Sequence, residues 1–287
     1  MNTRHFLAAL LMAALTAPIG AAYAKDLVFS APPREAADKG QDIYGPIADE
    51  LSKALGRKVV YKHPGNWLTY QFDMQKDKYD IVFDGPHFVS WRMAAHQHEP
   101  LVKLPGQLKF YVVVREDSGI NDINQLSGRM VCGLAPPNLA TLTVQAQFPN
   151  ISRQPLVREV KSFKQAYQTM RAGVCQAAVL PKRWYGELVD AKSGVRTIFE
   201  SRGVANQAFT ASKRLSDSEK LKIAQLLLAP ESKPKFDKFL ETFAKGKDLE
   251  KASVVEYTGH ASLLKDVWGF GLALQNGYDG SMRASLR

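Results

Sequence analysis

Short apolar runs of strand length alternate with segments of helical period along most of this chain, and that alternation leaves few folds open. Leu27-Val28-Phe29-Ser30 is one such run, ending at Ala31-Pro32-Pro33. Ile47, Leu51 and Leu55 then recur at one-turn spacing, with Pro46 placed to start a helix and Gly56 to end it. Val59-Val60-Tyr61 reads as a second strand. Asn66 reads as the cap of a helix carrying Trp67, Tyr70 and Met74, with Trp67 expected in the core and a cleft wall as the alternative. Tyr79 to Phe83 reads as a third strand, stopping at Asp84-Gly85-Pro86-His87, and a helix is expected from Phe88. The β-rich run Leu108 to Arg115 and a turn closed by Gly128 lead into a second block. Its strands are expected near 129–132, 156–160, 177–180 and 195–199, and its helices near 139–147, 163–172 and 184–189. Gln207 to Ala211 reads as a returning strand. Ser216-Asp217-Ser218-Glu219 is a capping-box pattern opening a helix to Leu228, a further helix is expected over 235–243, and the polar tail from Gln275 is expected to fray.

Strands alternating with helices predict an α/β fold, and two such blocks predict two lobes, each a mainly parallel sheet flanked by helices. The expected division is 25–108 with 206–287 for the first lobe and 109–205 for the second. Ligands of open α/β sheets bind beyond the carboxyl ends of the strands. The loops that follow such ends are Ala31–Arg34, Asp84–His87, Ala135–Thr141 and Pro181–Trp184, so a closed form would gather them.

The chain starts with an export pattern. Arg4 and His5 precede an apolar run from Phe6 to Ile19, and Ala22-Tyr23-Ala24 is a small-residue cleavage site, so residues 1–24 read as a signal peptide cut after Ala24. The next residue is Lys25 rather than Cys, which argues against a lipid anchor there. No later run reaches the length of a membrane span, so a soluble periplasmic protein is expected. Cys132 and Cys175 are the two cysteines. In an oxidising compartment they predict a disulfide, the rival reading being a thiolate pair for a soft metal or metalloid. The formal charge is +10. Its Lys and Arg residues are scattered, which points to a solvated basic surface that favours anions rather than to nucleic-acid binding. His96 and His98 sit two apart, a spacing that does not face one metal on a helix. No G-x-S-x-G, H-E-x-x-H or P-loop pattern occurs, so neither an enzyme nor a cofactor is expected.

At several of these stretches the chain resembles the phosphate/phosphite/phosphonate substrate-binding proteins of ABC transporters, which have the type 2 periplasmic-binding-protein fold. The resemblance lies in the opening strand with its Pro loop and in Tyr44-Gly45-Pro46-Ile47 leading a helix to Leu-Gly. It also lies in Tyr79-Asp80-Ile81-Val82-Phe83 before Gly85-Pro86-His87, in Ile123 through Leu126-Ser127-Gly128-Arg129, and in Ala172-Gly173-Val174-Cys175-Gln176-Ala177-Ala178, where Gln176 replaces the usual Asp. The resemblance implies two hinge crossings and a ligand clamped between lobes. It also implies a phosphonate seat on a helix start that typically carries a Ser-Thr-Ser-Gly-like run. The matching positions here are near Pro137-Asn138-Leu139-Ala140-Thr141, so most hydroxyl donors are missing and backbone N–H groups must serve. A drier seat, less fitted to inorganic phosphate, follows.

The candidate ligand residues are therefore Arg34, Tyr44, His87, Asn138, Leu139, Ala140, Thr141, Lys182 and Trp184. Arg34 offers a bidentate guanidinium, Tyr44 a hydroxyl, and His87 a donor whose charge would follow pH. Asn138 either caps its helix or donates through its amide. The expected role is capture of a small anionic solute for an importer's membrane permease, by a monomer. The alternative is presentation of the ligand to a membrane receptor kinase, and a periplasmic enzyme or thiol protein is a remote third.

Overall fold

The computed structural model describes residues 25–270. The expected signal peptide and the tail from Gln275 lie outside the described residues. Two mixed sheets carry the chain. The first has six strands in the order Glu250–Lys251, Glu99–Lys103, Ala208–Ala211, Ile81–Asp84, Leu27–Ser30 and Val59–Tyr61. The second has five, in the order Val195–Glu200, Phe110–Arg115, Ala177–Pro181, Met130–Gly133 and Leu156–Glu159. A two-stranded ribbon, Gln107–Leu108 against Val204–Ala205, runs antiparallel between them. Leu104 N–H to Gln207 O at 2.9 Å and Ser201 N–H to Phe110 O at 2.8 Å close the two ends of that crossing.

The mainly parallel expectation is corrected in detail. Leu27–Ser30 pairs in parallel with both neighbours, as does Met130–Gly133. The two strands that cross from the ribbon, Phe110–Arg115 and Ala208–Ala211, are antiparallel to their neighbours. They enter each sheet directly from the other lobe, without a crossover helix to reverse the chain, and so run the opposite way.

Alternation along each strand sorts side chains to two faces. In the first sheet Phe29, Ile81, Phe83 and Phe209 meet the long helix Ala37–Leu55 and the helix Asp217–Leu228. Val28 and Val82 face the opposite way, toward Tyr70, Phe88, Trp91 and Leu264. In the second sheet Val112, Val114, Ala177 and Val179 meet the helix Leu139–Gln145, while Val113, Cys132, Ala178 and Leu180 meet the helix Phe163–Arg171. Both faces are covered, which is why the strands read as continuous apolar runs. Cys132 and Cys175 form a disulfide under that second layer.

Two helix starts differ from expectation. The first long helix begins at Ala37, not at Pro46, which lies inside it. An interior proline costs about 3 kcal/mol; here the burial of Ile43, Tyr44, Ile47 and Leu51 on one face outweighs that cost. The third begins at Pro86, whose missing N–H is harmless at a first helical position. Asn66 caps its helix as expected, its side chain accepting from Thr69 N–H at 2.9 Å, but Trp67 is 41% exposed rather than core. Being the first helical residue, it lies at the rim of the cluster, its ring edge-on to Tyr70 with centroids 6.3 Å apart. The helix expected over 235–243 is broken into 3-10, α and π turns.

The segment His260–Leu264 ties the two halves together. Ala261 and Leu264 pack beside Trp91 and Phe88, Leu263 also packs on the cluster of the second sheet, and Leu142 of the second sheet's helix joins the first sheet's cluster.

Candidate functional site

The loops that follow Ile81–Asp84 in the first sheet and Met130–Gly133 in the second meet where His87 approaches Pro137. Asp84 closes its strand as a fully buried carboxylate. Arg92 Nε donates to Asp84 Oδ2 at 2.7 Å, and Tyr70 OH donates to Asp84 Oδ1 at 2.6 Å. The Arg92 guanidinium also lies over the Tyr70 and Tyr79 rings, at 5.6 and 5.7 Å. This knot fixes where the strand stops, and so where Gly85-Pro86-His87 starts its helix.

His87 is 4% exposed and stacks on Phe88 with centroids 4.1 Å apart. Its Nε2 lies 3.0 Å from the carbonyl oxygen of Pro137, in the other half of the molecule. A carbonyl only accepts, so Nε2 carries the proton. Burial pulls the ring's pKa down to about 3, against the Pro137 hydrogen bond that favours the proton, so the ring is neutral at neutral pH. Its Nδ1 is buried without a partner. The donor expected for a ligand is thus already committed across the cleft.

Arg34 is solvent-exposed, its guanidinium 5.9 Å from the Phe83 ring centroid, and among the described residues it has no carboxylate within ion-pair distance. Tyr44 lies in mid-helix rather than at a helix start, fully buried, 5.0 Å from the Tyr61 ring and packed on Phe29, Phe239 and Phe243. Its hydroxyl is buried without a partner. Burial pushes its pKa far up and Arg34 opposes that rise, although no hydrogen bond of proper geometry joins the two. The group therefore remains a neutral donor.

Just beyond the Pro137 carbonyl that holds His87 comes the start of Leu139–Gln145. Asn138 acts as a cap, its Oδ1 accepting from Ala140 N–H at 3.1 Å, and its carbonyl accepts from Leu142 N–H at 3.0 Å. Thr141 Oγ1 donates to Leu134 O at 2.6 Å. Ala140 N–H and the Thr141 hydroxyl proton are thus used internally, which leaves the Leu139 and Thr141 amides as first-turn donors that these bonds do not use. Gly133 permits the close turn: a Cβ there would stand 2.8 Å from Thr141 Oγ1.

Lys182 is exposed where Ala177–Pro181 ends, its backbone N–H bonded to Lys109 O at 2.9 Å. Trp184 is not gathered with the others. Two residues along the same helix, it turns onto the disulfide-side cluster, the face of the sheet away from Leu139–Gln145.

Sequence reasoning passed over Tyr61, Glu35 and Gln207. The Tyr61 hydroxyl and Gln207 Oε1 are buried without partners. Glu35 has its pKa raised by burial, against the nearby Arg34 and Lys39 charges. The signal was present for Tyr61, which ends a strand at the carboxyl edge. Glu35 and Gln207 carry none.

His96 and His98 do not share a site. The helix ends at His96, Gln97 turns left-handed at φ 58°, and His98 swings inward. His98 Nε2 donates to Asp77 Oδ1 at 2.9 Å and Nδ1 accepts from Thr210 Oγ1 at 3.2 Å. Burial holds its pKa down at about 4. The unfolded chain, with an ordinary histidine near 6.5, binds the extra proton first, so stability falls as pH drops from about 6.5 toward about 4. Urea titrations at about pH 7 and about pH 5 should differ by about 2 kcal/mol from this ring, and His98→Gln should flatten that part of the profile.

Among the described residues no three His, Cys, Asp or Glu side chains gather as a metal site, and no helix is long and apolar enough to cross a membrane. The family model for the periplasmic substrate-binding protein of phosphonate ABC transporters matches residues 29–257. A Xanthomonas citri protein solved with chloride superposes with a TM-score of 0.64 at 13% identity, over 88% of this chain and 99% of its own. A Prochlorococcus marinus protein in complex with methylphosphonate gives 0.60 at 16%, over 85% and 98%. A binding protein component of an ABC phosphonate transporter from Pseudomonas aeruginosa gives 0.58 at 12%, over 91% and 96%. At these identities the likeness is one of fold, that of type 2 periplasmic binding proteins. No curated sequence matches the chain.

Proposed function

The chain belongs to the family of periplasmic substrate-binding proteins of phosphonate ABC transporters, and on that premise we propose that it captures a small oxyanion between two lobes and delivers it to the importer's permease. The lobes are 25–108 with the chain from 206, and 109–205, hinged at the ribbon Gln107–Leu108 with Val204–Ala205. Residues 1–24 are the export signal. The observation that carries the reading is the 3.0 Å contact between His87 and the Pro137 carbonyl, which joins strand-end loops of the two sheets beside the exposed Arg34 guanidinium. Arg34 and the Tyr44 hydroxyl grip the anion from one side, and the Leu139 and Thr141 amides and the Asn138 side-chain amide from the other. Lys182 supplies field rather than contact. Ligand contacts made only when the lobes are shut stabilise the closed form.

A thermal-shift panel of phosphate, phosphite, alkylphosphonates, sulfonates, carboxylates and arsenite tests this. A ligand at a hundredfold excess over its dissociation constant stabilises the fold by about 2.7 kcal/mol, or about 5–10 °C in a protein of this size. A hit is expected among the oxyanions, with inorganic phosphate weak because the seat lacks a run of hydroxyls. No shift with any member of the panel would overturn the reading.

A further inference from the structure

The nitrogen that His87 leaves unpartnered carries a lone pair, not a proton. Nε2–H is held by the Pro137 carbonyl at 3.0 Å, so Nδ1 is an acceptor, and it is buried with nothing donating to it. Buried acceptors are almost always satisfied. The charged groups whose fields reach the ring are Arg34, from the loop after the first strand, and His260, from the C-terminal 3-10 segment. Pro137 and the Phe88 ring bring no charge to it. Among the other candidate contacts, Arg34 and the free first-turn amides can only donate, and the neutral Tyr44 hydroxyl also has a proton to give.

We infer that His87 selects the protonation state of the bound anion: Nδ1 accepts a hydrogen bond from an acidic hydroxyl of the ligand, so the site takes the singly ionised, still protonated form of a phosphonate-type oxyanion. The inference rests on the anion-binding reading above and sharpens it. A fully deprotonated dianion would turn an oxygen lone pair on the Nδ1 lone pair, and a monoanion without a hydroxyl would leave Nδ1 unpaired. The neutral ring, its pKa held down by burial, presents the same lone pair throughout the range in which such ligands lose their second proton.

Methylphosphonate and methanesulfonate make the test, since the two are close in shape and the singly ionised forms differ by one hydroxyl proton. Calorimetric titration of the exported, full-length mature chain should show methylphosphonate bound about 10- to 100-fold more tightly at mildly acid pH, the worth of one hydrogen bond to a charged group. Above the phosphonate's second ionisation its affinity should fall about tenfold per pH unit, while that of methanesulfonate stays flat. His87→Gln places an amide N–H where Nε2 was and removes the Nδ1 acceptor, so it should keep the link to Pro137 and lose both the preference and the slope. His87→Asn keeps an acceptor near Nδ1 but cannot reach Pro137, so it should keep the preference with weaker binding overall. Melting curves of both variants check that each is folded. Equal binding of the two ligands by the unaltered protein, or a preference that survives in His87→Gln, would overturn the inference and leave anion capture standing. Binding of neither ligand, nor of any oxyanion in the panel, would remove the reading on which it rests.

Discussion

Asp84→Asn is expected to destabilise the protein by about 3–5 kcal/mol, the cost of leaving a buried cation without its counter-charge. Both partners are fully buried, and Arg92 Nη1 has no partner even in the intact arrangement. The guanidinium would then face an amide that satisfies it only in part. Arg92→Met should cost a similar amount, with Asp84 now the stranded charge. The double variant should be much milder than the sum of the two, because removing both charges removes the desolvation cost as well. Urea denaturation of the four proteins in the cycle measures this coupling directly. Additive losses would mean that the two groups act separately and that the pair is no coupled unit. The knot also matters for the site. Asp84 is the last strand residue before Gly85-Pro86-His87, so a variant that still folds should bind anions more weakly through a displaced His87.

Removing the disulfide is expected to cost about 4 kcal/mol, the chain-entropy value for a loop of this length. The bond spans a sequence separation of 43 residues. It ties the strand leading into the Asn138 cap to the turn leading into Ala177–Pro181, next to each other in the second sheet. Denaturation with and without reductant, and of the Cys132→Ala/Cys175→Ala variant, reads the effect. The transition assigned to residues 109–205 should move, and an unchanged curve would show that the bond constrains the unfolded chain far less than its loop length implies.

Much of the fold was legible because its physics is local. Strand runs such as Ile81-Val82-Phe83 are buried on both faces, and burial on both faces leaves a continuous apolar signature that needs no knowledge of partners. Caps were legible for the same reason: Asn66 and Ser216 satisfy amides within one turn. Pro46 misled because its local penalty is plain in sequence, whereas the aromatic packing that overrides it is contributed by Phe83, Phe239 and Phe243, far along the chain. The short strand Glu99–Lys103 gave no periodic signal and exists because Ala208–Ala211 and Glu250–Lys251 pair with it.

The alternating α/β plan, and a disulfide as the favoured state of the two cysteines, could be read from the chain alone, since they follow from burial pattern and residue chemistry, and strand direction pointed to the loops from which the candidate site is drawn. Tertiary structure alone decided which atoms in those loops remain available. Whether an Asn138 oxygen is a cap or a contact, whether the Thr141 proton is free, and which nitrogen of His87 keeps its lone pair all depend on the group that comes to lie opposite. For His87 that group is the carbonyl of a residue 50 positions away, in the loop after a strand of the other sheet, and this hydrogen bond forms only once both sheets have folded side by side.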